Sequence, residues 1–452
     1  MNWIRAMSAI VLSMITSAVA AGSIVIRPVN VISMSAPGTQ ENQAVVIAGG
    51  KIQAVGPIDQ IEVPEGATVI DGSGKFLLPG LAEMHAHVPP PTNPDAMQEV
   101  LTLYLTQGIT TARGMLGQPG HLKLRERLAT GEMPGPRLYT SGPSLNGNSV
   151  SSAEQAAQMV RDQHAAGYDH LKLHPGLSLA EFDAIAAEAN RLEMPYAGHV
   201  SADVGAWRTI ESGQTCIDHL DGFIQASVDP GADIDGIPAG FFGFLQAPYV
   251  NEQQMEKLVA ALKDQGTWVV PTESLMHRFA GLTPTEQVLA EEAMAFVSPG
   301  TRRQWQQSVA NFTGNPAYDV DTIQSFLAVR LKMIKALNDA GVGLLLGSDA
   351  PQVFQVPGFS MHRELALYVE AGLTNFEALS TGTTQVAKYL GLENQRGQVR
   401  AGFDADLVLL DANPLDDISN TRAVHGVMVD GRWFGPDWRR QALAEIAHRH
   451  RG

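Results

Sequence analysis

The sequence predicts a (β/α)8 TIM barrel carrying a small β-sandwich assembled from both ends of the chain. Three observations lead there. Between residues 88 and 350, a helical stretch, a glycine and an apolar strand recur in that order. About eight strands can be counted, which favours a closed barrel over an open sheet. Both flanks, 21–79 and 396–436, instead have β-character broken by Gly and Pro. The expected division is a leader at 1–20, sandwich strands at 21–79, a barrel at 80–395, the remaining sandwich strands at 396–436 and a tail at 437–452.

The leader follows from three features. Arg5 gives a positive start. Ala6 to Val19 is mostly apolar but short for a membrane span, and Ala18-Val19-Ala20 fits the small-residue cleavage rule. A secretory signal cut after about Ala20 is expected, hence an exported, periplasmic or secreted protein. No Cys follows the apolar run to carry a lipid, and no later stretch is long and apolar enough to span a membrane. The 452 residues hold 47 Asp and Glu against 31 Lys and Arg, a formal charge of −16. That balance argues against nucleic acid and anionic membrane as partners. The single cysteine, Cys216, excludes an intramolecular disulfide and reads as a buried small hydrophobe in Thr215-Cys216-Ile217.

In order, Ser23 to Val31, Ala44 to Ala48, Lys51 to Val55 and Thr68 to Ile70 read as short strands, with Ala48-Gly49-Gly50-Lys51 as a hairpin turn. Phe76 to Leu78 is another apolar run, and a strand carries Gly80 to His87. Ala96 to Gln107 is helical by period and stops at Gly108, before a strand from Thr110. Helices at Ser152–Ala166, Ser178–Leu192, Ala202–Ser212, Met255–Gln265 and Ala328–Ala340 precede strands at Asp169–His174, Pro195–Val200, Thr215–His219, Thr267–Pro271 and Gly343–Ser348. Residues 222–252 and 278–327 break the rhythm after strands, where insertions form lids or pocket walls. Asp406 to Leu410 and His425 to Val429 return to strand, with Asp430-Gly431 a turn. Residues 437–452 suggest a short helix and a polar tail, with His448 and His450 solvated.

In such a barrel, chemistry sits at the C-terminal ends of the strands. The first strand ends in His85-Ala86-His87, whose two imidazoles share a face because strand side chains alternate. His199, His219 and Asp349 end three further strands. Lys172 and His174 share a face, with His170. Four histidines and an aspartate so placed form a candidate metal constellation. A lysine in a dry strand needs a salt-bridge partner or loss of its charge; reaction with carbon dioxide would turn it into an anionic carbamate.

These residues carry a resemblance. Pro79-Gly80-Leu81 through His85-Ala86-His87, Gly108-Ile109-Thr110-Thr111, His170-Leu171-Lys172, Gly198-His199, Ile217-Asp218-His219 and Gly347-Ser348-Asp349 occur in the order of the metal-dependent amidohydrolase superfamily. So do Val369 to Leu379 and the run from Gly397 to Val408. The chain is most similar to the imidazolonepropionase-like and prolidase-like branch. The resemblance implies two divalent ions, zinc first, with manganese and cobalt as alternatives. His85, His87 and Asp349 would hold one and His199 and His219 the other, with carboxylated Lys172 and a hydroxide bridging. Two departures bear on substrate recognition. Gly114-Met115 follows Arg113 where the branch has an acidic residue, and Asn146-Gly147-Asn148-Ser149 lacks the branch's histidine.

The implied activity is hydrolysis of a C–N bond in an amide, dipeptide or N-acyl amino acid, with Asp349 moving the proton. His174 and His277 are further catalytic candidates, each able to hydrogen-bond a carbonyl oxygen. Arg113 and Arg278 could clamp a substrate carboxylate. His121, His164, His362 and His425 read as structural. A lactone, ester or cyclic amide could be cleaved by the same site. A single-metal deaminase fits less well, because Val200-Ser201-Ala202 follows His199 where an acidic base is expected. A non-enzymatic periplasmic binding protein is the remote alternative. The partner expected is a small-molecule substrate, with a homo-oligomer as the assembly this kind of barrel often forms.

Overall fold

The computed structural model describes residues 22–451; the expected leader lies outside them. Five strands come first: β1 (Ile24–Val31), β2 (Gln40–Ala48), β3 (Lys51–Pro57), β4 (Thr68–Ile70) and β5 (Phe76–Pro79). Seven parallel strands follow: β6 (Leu81–Ala86), β7 (Ile109–Gly114), β8 (Arg137–Thr140), β9 (Leu171–Leu173), β10 (Tyr196–Gly198), β11 (Cys216–Asp218) and β12 (Trp268–Val270). The chain closes with β13 (Leu407–Leu410), β14 (Val424–Val429) and β15 (Arg432–Phe434).

The two chain ends build one eight-stranded mixed sheet, ordered β15-β14-β13-β5-β1-β2-β3 with β4 beside β1. The expected pairing of the ends is therefore found, at β13 on β5, with Leu409 opposite Leu77. Hydrogen bonds link all eight strands. The sheet wraps a core of Ile26, Val45, Ile52, Leu77, Leu407 and Met428, and its β3 edge returns to the chain at Phe403 through the Ile52 amide.

The parallel strands form an α/β fold of the TIM-barrel kind. They group as β6-β7-β8 and β12-β11-β10-β9. Isolated bridges link the chain after β8 to β9, Ser141 to His170 and Leu145 to Leu173, and another links Val269 of β12 to Leu344. The Met84 amide donates to the Leu346 carbonyl at 2.9 Å. Residues 343–348, read as a strand, form an isolated bridge and scattered main-chain bonds, the Leu346 amide to the Thr381 carbonyl among them, rather than a ladder. Ala82, Met84, Met115, Ala197, Cys216, Val270 and Leu345 pack into one buried cluster, so both groups face a common interior.

Helices start where the sequence gives them caps. Ser152 accepts from the Gln155 amide before helix Ala153–Ala166. Ser178 and Glu181 form a reciprocal capping box before Leu179–Arg191. These two helices pack with Phe182, Ile185 and Val160 against Leu171 and Tyr196 of β9 and β10. Pro436–Arg449 is a longer final helix than expected, and His450 is tied to Glu99 at 2.6 Å rather than solvated. Among the described residues no helix is long and apolar enough to cross a membrane.

Candidate metal centre

Strand ends bring the polar residues together. The alternation in β6 turns His85 and His87 to one side. Lys172 lies within β9 with His174 just beyond it, and His199 and His219 follow β10 and β11 directly. Asp349 follows the 343–348 segment. His85 Nε2 and His87 Nε2 approach Asp349 Oδ1 at 3.5 and 2.9 Å. The His85 and His219 rings are 4.6 Å apart, those of His199 and His219 4.5 Å, and those of His174 and His199 5.1 Å.

The donor set fits a divalent metal. His85 Nδ1, His87 Nε2, His174 Nδ1 and Asp349 Oδ1 are buried without a hydrogen-bond partner; the short approaches to Asp349 lack hydrogen-bond geometry. The groups His85/His87/Asp349 and His85/Asp218/His219 each present ligand atoms within 4.8 Å of one another. Imidazole nitrogen and carboxylate oxygen suit zinc and its neighbours. Outer partners orient the rings. His219 Nδ1 lies 2.7 Å from Thr272 Oγ1, and His199 Nδ1 lies 3.0 Å from Asp221 Oδ2, which leaves both Nε2 atoms for a metal.

Burial, then the Lys172 charge, pushes the His85 imidazole down to about 4. Burial and the neighbouring His199 hold His219 well below its usual value. Both are therefore neutral near pH 7, the state a ligand requires. Burial alone would raise Asp349, yet the imidazoles of His85 and His87 hold it well below the usual carboxylate range. Asp349 (φ 63°), His219 (φ 66°) and Thr272 (φ 48°) all sit in the left-handed region, a strained backbone held by its surroundings.

Two buried clamps hold that backbone. Arg330, fully buried on helix Val320–Ala340, donates to the carbonyls of His219 at 2.8 Å and Pro271 at 3.1 Å, and to Glu273 Oε2 at 2.8 Å. Glu364 accepts from the Glu273 and Ser274 amides at 2.8 and 2.7 Å. On the other side, Glu83 accepts from the His85 amide at 3.0 Å and from Ser348 N and Oγ at 2.9 and 2.6 Å. It thereby ties the strand bearing His85 to the segment bearing Asp349.

Residues 76–434 match the amidohydrolase family model, described as "Amidohydrolase family". The chain belongs to the amidohydrolase family. Among curated relatives this amidohydrolase is similar to an ochratoxinase of Aspergillus niger, 23% identical over 320 residues. That match takes in 67% of this chain and 53% of the relative, so the chain spans about half the length of the curated relatives it matches. Among solved structures it is similar to a bottromycin amidohydrolase (TM-score 0.72, 22% identity, 95% of this chain and 91% of that one). It is also similar to a putative prolidase from Bifidobacterium longum (TM-score 0.69, 22% identity, 94% and 99%). A Xaa-Pro dipeptidase with bound methionine gives a TM-score of 0.67 at 21% identity over 91% and 100%.

Several other candidate residues of this amidohydrolase have partners that the sequence does not show. Arg113 is paired inside the fold. It is 1% exposed, and its donors reach the Met84 carbonyl at 2.7 Å, the Tyr389 hydroxyl at 2.8 Å, Cys216 Sγ at 3.5 Å and Asp218 Oδ1 at 3.3 Å. Arg278 pairs through Nη2 with Glu291 at 2.5 Å, while its Nε is buried without a partner. Lys172 shows the salt bridge: its Nζ is 2.9 Å from Asp218 Oδ2. His170 turns aside to Met115 Sδ at 3.2 Å. His174 does enter the site. His277, pushed down to about 4 by burial and the Arg330 charge, stands 3.5 Å from Glu273 Oε1 on the helix that follows Thr272. Cys216 is buried as expected, but beside an ion pair. His362 and His425 are structural, bonded to Thr421 and Asp411 at 3.0 Å each. Asp218, Arg330 and Glu364 were not singled out from sequence. Asp218 alone left a signal, as the charged residue immediately before His219.

Proposed function

We propose that this chain is an exported, binuclear metal-dependent hydrolase of C–N bonds in amides. The observation that carries the reading is the convergence of His85, His87, His199, His219 and Asp349, with partnerless buried donor atoms among them. His85, His87 and Asp349 would hold one ion, and His199 and His219 the other. The three parallel pieces, β6–β8, β9–β12 and residues 343–348, would close as an eight-stranded barrel around them. Divalent ions at this site, zinc first, would polarise the scissile carbonyl and lower the pKa of a bound water.

The chain's own groups supply the rest. Asp349 is ionised and takes the proton of the attacking water, then returns it to the leaving nitrogen. His174, pushed down to about 2 by burial and the Lys172 charge, is neutral and hydrogen-bonds the carbonyl oxygen. His277 is the second candidate for that contact. Lys172 has two readings. The 2.9 Å approach to Asp218 favours a structural ion pair, whereas its place among the ligands favours a bridging carbamate. Carbon-labelled bicarbonate decides between them: a carbamate carbon resonance that Lys172→Arg lacks supports the bridge, and its absence assigns the ion pair.

The test of activity uses residues 21–452 loaded with zinc. Amine release from a panel of amides, dipeptides and N-acyl amino acids, abolished by chelator and restored by metal, is the expected result. No release from any amide with metal bound would overturn the reading in favour of lactones or esters.

A further inference from the structure

Beside His199 a cavity of about 720 Å³ opens, within the range of roughly 300–1,000 Å³ usual for small-molecule sites. Its walls come from the segments after β9, β10 and β11, with Pro175 from the first. Val200 and Trp207 come from the segment after β10. Phe241 and Phe242 come from the 222–252 insertion. Phe242 is pressed onto the constellation, with its ring 5.4 Å from that of His219 and 6.1 Å from that of His199. The backbone there is built for this: Phe242 has φ 51° and Gly243 φ 86°, and a Cβ on Gly243 would meet Ile224 Cβ at 2.7 Å. Phe241 packs at 5.0 Å on Phe279 and at 5.8 Å on Phe312, so the second insertion buttresses the first.

Two further facts say what the cavity takes. Trp207 is 45% exposed and Phe241 37%, two of only seven large apolar side chains exposed among the described residues. Exposed aromatic surface next to a reactive centre marks a place a ligand covers. Among the described residues no lysine or arginine lines the cavity. Its charged group is the carboxylate of Asp221, already accepting from His199 and from the Val200 amide at 3.1 Å. Arg113 and Arg278, the two arginine candidates for a carboxylate clamp, pair with Asp218 and Glu291 and do not line this cavity.

We propose that this cavity is the specificity pocket for a large, uncharged aromatic substituent of the amide. The substrate class is therefore neutral aromatic amides rather than dipeptides presenting a free carboxylate to this side. An aromatic group there displaces water from Trp207 and Phe241 and lies against Phe242. A carboxylate deep in the cavity would face Asp221, with no lysine or arginine to pair with it. This rests on the hydrolase reading above.

The test compares kcat/KM of the zinc-loaded mature protein for N-acetylglycinamide, N-(2-naphthoyl)glycinamide, its 6-carboxy-2-naphthoyl analogue and N-acetyl-2-naphthylmethylamine. The neutral naphthyl amide, in one orientation or the other, is expected to exceed the acetyl compound at least tenfold, and the carboxylated analogue to lose at least tenfold. Trp207→Ala, at an exposed position, should shrink the aromatic preference at least fivefold. Equal rates for acetyl and naphthyl amides, or a carboxylated analogue as good as the neutral one, would overturn the pocket and leave the hydrolase reading standing. If no amide is cleaved, the hydrolase reading fails and binding decides the pocket. 2-Naphthamide should quench the fluorescence that Trp207→Phe removes, and absence of that quenching overturns it.

Discussion

Replacing Arg330 with methionine should destabilise the protein by about 3–5 kcal/mol near pH 8, the cost of breaking a buried ion pair by removing one partner. The structure shows where that cost arises. The guanidinium makes three hydrogen bonds of 2.8, 2.8 and 3.1 Å, two to main-chain carbonyls and one to Glu273, with both side chains fully buried. Each bond to a charged group is worth roughly 1.5–3 kcal/mol, and the orphaned carboxylate adds its own penalty. That penalty has a ceiling. Burial already raises the Glu273 carboxyl and Arg330 opposes it, so without Arg330 the acid protonates instead of staying charged. An acid whose folded pKa is raised loses stability as pH rises from its unfolded value towards its folded one. The defect must therefore be larger at pH 8 than at pH 5. Urea unfolding at both pH values checks this, in a cycle of Arg330→Met, Glu273→Gln and the double variant. The double variant should cost less than the sum of the singles. Because Arg330 holds the His219 carbonyl, metal affinity should also fall roughly 10–100-fold. A change within about 1 kcal/mol at both pH values, with unaltered metal affinity, would remove Arg330 from the site's support.

Asp349→Ala should lower kcat at least about a hundredfold with the fold retained by circular dichroism, the lower range for general acid–base work; near-normal turnover would deny its proton-transfer role. Glu364, pushed up to about 7 by burial against its amide hydrogen bonds, costs stability as pH rises from about 4.5 to 7, about 3 kcal/mol in all. Glu364→Gln should flatten the pH dependence of unfolding across that window, and an unchanged slope would contradict the raised acid. Gly198 has φ 137°, and a Cβ there would lie 2.1 Å from the Leu173 carbonyl oxygen. Gly198→Ala should therefore lower Tm and, by displacing the adjoining His199, weaken metal binding measured by competition with a chromogenic chelator.

What the sequence made legible was whatever depends on local period. His85 and His87 share a face because strands alternate, and His199, His219 and Asp349 were found because apolar runs end at them. Lys172 stood out as a charge inside an apolar strand. Partnership was not legible, because it is decided across the fold. Asp218 joins Lys172 across 46 residues, and Arg330 reaches His219 across 111. Arg113 and Arg278 looked available only because a sequence does not show that Asp218 and Glu291 already hold them. The 343–348 segment reads as a strand by its leucines, yet forms no ladder. The flanking strands are legible by their own pattern, but the β13–β5 pairing that joins the two chain ends has no local signal.

The measurement that bears most directly on the proposed centre is the metal count of the mature chain by native mass spectrometry after zinc loading and removal of free ions. Two zinc ions per chain, falling to fewer in both His87→Ala and His199→Ala, is the result expected if the five histidine and aspartate side chains form two adjoining sites. A chain that retains no ion, or retains the same number in both variants as in the parent, would contradict it.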